Sequence, residues 1–105
     1  MIGLGRWSCG LDTPLVEEDG VVQISEKEGK YVFRLLARDK NIPDYRVESI
    51  REKDGNTLII TLTIEGLPEE SEVRICATFT ETELTGYIRL PFIGKINIIR
   101  GKRIK

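Results

Sequence analysis

Apolar and polar residues alternate with a period of two along almost the whole chain, the pattern of strands that bury one face and wet the other. Trp7, Cys9 and Leu11 share one face of a first predicted strand, which ends at Asp12-Thr13-Pro14, where proline removes a ladder donor. A second, from about Gly20 to Lys27, presents Val22 and Ile24. Glu28-Gly29 turns the chain into a third strand, with Tyr31, Phe33, Leu35 and Ala37 on one face and Arg34 and Arg38 on the other, which makes a hairpin. The stretch Asp39-Lys40-Asn41-Ile42-Pro43-Asp44 is loop by composition, and a fourth strand follows from Tyr45 to Lys53. Its apolar members Val47 and Ile50 differ in parity, which predicts a bulge or twist near Glu48 and Ser49.

Alternation is stricter in the second half. Asp54-Gly55 is a strong hairpin signal and leads into Leu58, Ile60, Leu62 and Ile64. After Gly66-Leu67-Pro68-Glu69-Glu70 come Val73, Ile75, Ala77 and Phe79, with Arg74, Cys76 and Thr78 outside. The acidic turn Glu81-Thr82-Glu83 precedes an inward set of Leu84, Gly86, Ile88 and Leu90, which Pro91 ends, and Ile96 and Ile98 form a last strand before Gly101. No ten-residue window carries helical periodicity. The pattern predicts an all-β domain spanning residues 1–105, an antiparallel up-and-down meander of about eight short strands. An even number of strands in meander order brings the first and last together, so closure into a small barrel removes two exposed edges at once.

Composition narrows the chemistry. With 105 residues there is room for one core, and 40% apolar content against 31% charge describes a folded, soluble globule. Net charge is −1, which points to no polyanionic partner, and neither nucleic acid nor a membrane span is expected. Lys95, Arg100, Lys102, Arg103 and Lys105 make the C-terminus basic; with no aromatic residue interleaved for base stacking, they read first as edge and closure contacts of a terminal strand, and second as a tail able to touch phosphate or anionic lipid. Without a basic leader followed by a long apolar run, a cytoplasmic monomer is expected. Cys9 and Cys76 lie far apart in no metal or redox spacing and are expected to be free thiols, a disulfide being the residual alternative.

Histidine is absent, which removes the usual general base and the commonest zinc ligand. The carboxylates of Glu17-Glu18-Asp19 and Glu69-Glu70 fall in turn-like stretches and lack the spacing of a calcium loop. No glycine-rich phosphate loop occurs. No catalytic residue, metal ligand or cofactor is assigned, and the expectation is a protein without enzymatic activity.

The Gly5-Arg6-Trp7 start, Thr13-Pro14, the Asp54-Gly55 hairpin, Leu84-Thr85-Gly86 and the closing Gly101-Lys102-Arg103 together resemble the small bacterial barrels of the calycin, or lipocalin-like, class. The resemblance covers nearly the whole chain, which is much shorter than a lipocalin and nearer the protease-inhibitor barrels of that class. It implies that Trp7 closes one end with an arginine of the last strand across it, and the implied partner is Arg103. Parity counted from Ile96 and Ile98 selects Arg100 instead, and only a bulge at Gly101 restores Arg103.

Two functional expectations follow. If the interior is hollow, Trp7, Tyr31, Phe33, Tyr45, Ile60, Ile75 and Phe79 are the candidate lining of a site for a small hydrophobic ligand, with the tyrosines as polar handles. If large inward side chains fill it, the barrel is instead a protein-interaction or inhibitor-type module, whose loops Asp39 to Asp44 and Gly66 to Glu70 are the places to seek an unknown protein partner.

Overall fold

Both turns that the sequence marks with glycine place two successive residues at positive φ, the geometry that matches the twist of a hairpin. Glu28 and Gly29 have φ of 54° and 79°, and Asp54 and Gly55 have 55° and 78°. The second connection is one residue longer than the Asp-Gly signal alone predicts. Lys53 pairs with Thr57, so Asn56 joins the turn, and its carbonyl accepts the Phe79 N–H at 2.9 Å.

The computed structural model describes residues 1–65 and 72–104. In it the strands are β1 (Gly5–Leu11), β2 (Gly20–Lys27), β3 (Lys30–Ala37), β4 (Tyr45–Lys53), β5 (Thr57–Ile64), β6 (Glu72–Phe79), β7 (Leu84–Leu90) and β8 (Gly94–Ile104). They form one antiparallel sheet in the order β3-β2-β1-β8-β7-β6-β5-β4. The first and last strands are paired, so the meander curls into a nearly closed barrel, and among the described residues the seam without a ladder lies between β3 and β4. The proposed partner loop Gly66 to Glu70 lies outside the described residues.

Three bulges set which side chains face in. Where β3 meets β2, Val22 pairs with Leu35 and Val21 with Ala37, so Leu36 is the extra residue and Ala37 is exposed, out of the inward row of Tyr31, Phe33 and Leu35 in which simple alternation places it. On β4, Val47 pairs with Leu62 and Ser49 with Thr61, leaving Glu48 as the extra residue. That slip is why Val47 and Ile50, of opposite parity, both pack against the core. On β8 the pairing with β1 runs Arg6↔Ile104, Trp7↔Arg103, Ser8↔Lys102, then Gly10↔Ile99 and Leu11↔Ile98. One extra β8 residue is absorbed at Arg100, whose φ is 54°, and Gly101. A Cβ at Gly101 would run into the Leu84 carbonyl oxygen, so only glycine lets β8 pass that close. The strand therefore continues past Gly101 to Ile104, further than the isoleucine alternation alone indicates.

The core is built from the inward faces. Trp7, Ile24, Leu58 and Ile60 are completely enclosed, with Leu62, Val73, Ile75, Phe79 and Leu84 around them. The Trp7 and Phe79 rings lie 4.9 Å apart and tilted by 58°, a favourable aromatic arrangement. Trp7 marks the sealed end. Its Nε1–H donates to the Gly3 carbonyl at 2.8 Å, and Gly3, at φ 67°, lies so close over Phe79 that a Cβ there would stand 2.8 Å from the ring. Outside this plug, the Arg103 guanidinium lies 4.3 Å from the indole centroid. It donates to the Leu4 carbonyl and to the Glu81 carbonyl, each at 2.7 Å, so one side chain ties the N-terminal segment to the β6–β7 turn.

Candidate functional site

The two arginines weighed for closure part company in space. Arg103 covers Trp7, whereas the bulge turns Arg100 away to fork the Asp19 carboxylate, with Nη2 to Oδ1 at 2.6 Å and Nε to both oxygens at 3.1 and 3.2 Å. That fork holds the Asp19 carboxyl below its usual range.

Inside the barrel the space left by the side chains is small. A cavity of about 60 Å³ lies among Cys9, Val22, Phe33, Ile75, Phe79 and Ile98, and no polar surface lines it. Sites for drug-sized ligands run to about 300–1,000 Å³, several times this space. Of the seven candidate lining residues, Phe33, Ile75 and Phe79 border this void, and Trp7 and Ile60 are fully enclosed in the packing. Tyr31 and Tyr45 are elsewhere, at the seam.

There, side chains replace the missing ladder. The Leu35 N–H on β3 donates to the Tyr45 hydroxyl of β4 at 3.0 Å, and the Tyr45 ring meets Phe33 edge-on with centroids 5.9 Å apart. Nearer the sealed end the Tyr31 hydroxyl accepts the Ile2 N–H at 2.7 Å and donates to the Glu52 carboxylate at 2.5 Å. Burial and the bond to Glu52 push the Tyr31 phenol above its usual range. Arg38 staples the other end, pairing with Asp44 at 2.6 Å and donating to the Pro43 carbonyl at 3.1 Å. Between these contacts the seam opens into a hollow of about 460 Å³ lined by Met1, Lys30, Tyr31, Val47, Ile50 and Glu52. The surrounding β4 surface carries the Glu48 bulge and alternating charges, devices that discourage indiscriminate strand addition at an edge.

Sequence reading missed Asp39. It is only 3% exposed, and its carboxylate accepts three backbone N–H groups: Asn41 at 2.8 Å, Glu17 at 2.9 Å and Glu18 at 3.0 Å. The Asn41 bond comes first among the causes that hold its carboxyl below the ordinary range, followed by Glu18 and Glu17. Asp39 thereby fastens the β1–β2 loop to the β3–β4 loop, with Asn41 Nδ2 adding a bond to the Leu15 carbonyl at 3.1 Å. The short-range half of this motif, an aspartate bonding the N–H two residues on, is a signal the sequence carries. The link to residue 17, twenty-two positions away, is not.

Both cysteines are free, and each is half-buried. Cys9 borders the interior void, and burial, with the nearby Asp19 charge adding to it, pushes its thiol up to about 11. Cys76 lies on the outer face, level with Ile59 and Tyr87 of the flanking strands. Among the described residues no group of three cysteine or acidic side chains converges to hold a metal ion, and no helix is long and apolar enough to cross a membrane. No known protein family, curated protein or solved structure matches this chain.

Proposed function

We propose that this protein is a calycin-like binding module without catalytic turnover, which recognises another protein through the seam between β3 and β4 rather than through an interior cavity. The observation that carries this reading is the contrast in free volume: about 60 Å³ inside the barrel against about 460 Å³ at the seam. The hollow mixes apolar walls, Val47 and Ile50, with Lys30, Glu52 and the Tyr31 hydroxyl. Such a lining suits a segment presenting one apolar side chain beside a charged one, as protein interfaces commonly do.

A photo-crosslinker at Ser49, which borders the hollow, tests it. In the native host it is expected to trap one partner in one-to-one stoichiometry. The same probe at exposed Thr85 on β7 should trap none, and Tyr31→Phe with Glu52→Gln should weaken the Ser49 product. Equal products from both positions argue against the seam.

A second reading has one observation in its favour: the interior void is wholly apolar and borders Phe33 of β3, next to a seam without a backbone ladder. A small hydrophobic ligand could then enter by parting β3 from β4. Native mass spectrometry of protein from its own host separates the readings, because a co-purifying small molecule supports an expandable interior and a bare chain supports the surface site.

A further inference from the structure

The β7–β8 hairpin ends in Pro91-Phe92-Ile93, a three-residue connection between the paired Leu90 and Gly94. No protein covers its apex: Phe92 is fully exposed, and Ile93 beside it is 62% exposed. The backbone there is equally unusual. The Ile93 N–H donates to the Pro91 carbonyl at 2.8 Å around Phe92, whose φ is 66°. A turn closed this way about a positive φ is the rare, strained kind of γ-turn, and a bulky residue is an outlier where glycine would sit at ease. Core packing does not account for phenylalanine here, and turn chemistry opposes it. The arrangement holds an aromatic ring outward at the tip of a hairpin.

Directly behind that tip, Arg74, Arg89 and Lys95 stand opposite one another on β6, β7 and β8, all exposed. Like charges placed across neighbouring strands destabilise a sheet unless something neutralises them. Arg74 has Glu72 at 3.3 Å. Arg89 and Lys95 have no ion-pair partner among the described residues and instead approach the Tyr87 ring, at 5.9 and 4.3 Å from its centroid. The Arg89–Lys95 pair is one register step behind Leu90–Gly94, so the backbone that carries these cations is about 3.4 Å below the base of the turn, and their charged groups lie on the sheet face beside Tyr87.

We propose that this hairpin docks the protein on an anionic lipid surface: Phe92 and Ile93 enter the boundary between headgroups and acyl chains while Arg74, Arg89 and Lys95 pair with lipid phosphates. A convex apolar tip needs a phase that can close around it, which a fluid bilayer does without a preformed pocket. Cations carried one step behind the tip, on long side chains, can reach the headgroups from the sheet face. This inference is independent of the seam.

Sedimentation with vesicles of phosphatidylcholine containing about a third phosphatidylserine is expected to carry the protein down, with far less carried by pure phosphatidylcholine or at high salt. Phe92→Ser with Ile93→Ser should lower vesicle binding about tenfold or more, and Arg89→Glu with Lys95→Glu should remove the preference for anionic vesicles. Leu15→Ser, an exposed apolar residue on a different loop, should change nothing. Phe92→Gly separates docking from folding, because it relieves the turn and should raise the thermal midpoint while losing vesicle binding. The proposal is overturned by a native protein that sediments with neither vesicle, by tighter binding to nucleic acid or an acidic peptide than to the bilayer, or by a Leu15→Ser loss equal to that of Phe92→Ser.

Discussion

Trp7 and Arg103 are directly paired residues of β1 and β8, and the guanidinium carbon of one lies 4.3 Å from the ring centroid of the other. Within the ladder that joins the two ends of the chain, this contact seals the barrel, stacks a cation on an indole and ties down Leu4 and Glu81. Trp7→Ala is expected to cost about 3–5 kcal/mol, the scale of a large enclosed aromatic side chain, which is enough to unfold a marginal domain. Arg103→Ala should cost about 2 kcal/mol, from the stacking and two charged hydrogen bonds together. Urea titrations decide the matter, and a loss below about 1 kcal/mol for Trp7→Ala would remove the tryptophan as the closing element.

Gly101 sets the register of that contact. Gly101→Ala drives a methyl group into the Leu84 carbonyl and should cost about 1–3 kcal/mol or more, with β8 displaced from β7. Because the bulge sets Arg103 over the indole, the same variant should change Trp7 fluorescence. Arg100→Ala, which loses only an exposed pair with Asp19, should leave that emission as it was. Equal emission changes in both variants would separate the bulge from the closure.

Asp39 should make the fold acid-sensitive. Its carboxyl is held below the usual range by backbone donors, so its contribution is fully present above the ordinary carboxylate value of about 3.9 and is lost as pH falls through the lower folded value. Asp19 acts in the same direction through Arg100, but its exposed pair is screened by salt. Urea midpoints measured from neutral to acid pH should therefore fall for the native protein, and fall less for Asp39→Asn. At high salt the Asp39 effect should persist and the Asp19 effect shrink. An Asp39→Asn profile parallel to the native one would show that the loop clasp carries no linkage.

The two thiols should differ in rate. Cys9 borders the interior void with its thiol pushed up to about 11, so at pH 8 only about one molecule in a thousand carries the thiolate. An aromatic disulfide reagent is expected to titrate Cys76 first and Cys9 only as the barrel opens, with two sulfhydryls found after unfolding in the absence of reductant. A fast reaction of both, or of neither after unfolding, would contradict the placement of Cys9.

What the sequence determined by itself is local. Strand bounds from Gly20–Lys27 to Tyr45–Lys53 are legible because alternation and turn residues act over a few positions, and the parity clash of Val47 and Ile50 exposes the β4 bulge for the same reason. The all-β barrel follows from eight such segments in meander order. Tertiary structure decided everything that depends on how the sheet curls. Gly101 needs its lack of a side chain only because the Leu84 carbonyl lies against it, and Asp39 finds Glu17 and Glu18 only after two loops converge. Tyr31 and Tyr45 share the inward parity of their strands, yet they sit at a seam because the closing sheet leaves β3 and β4 unpaired with each other. The volume inside is likewise a property of closure: large inward side chains nearly fill a cylinder whose radius no single strand specifies.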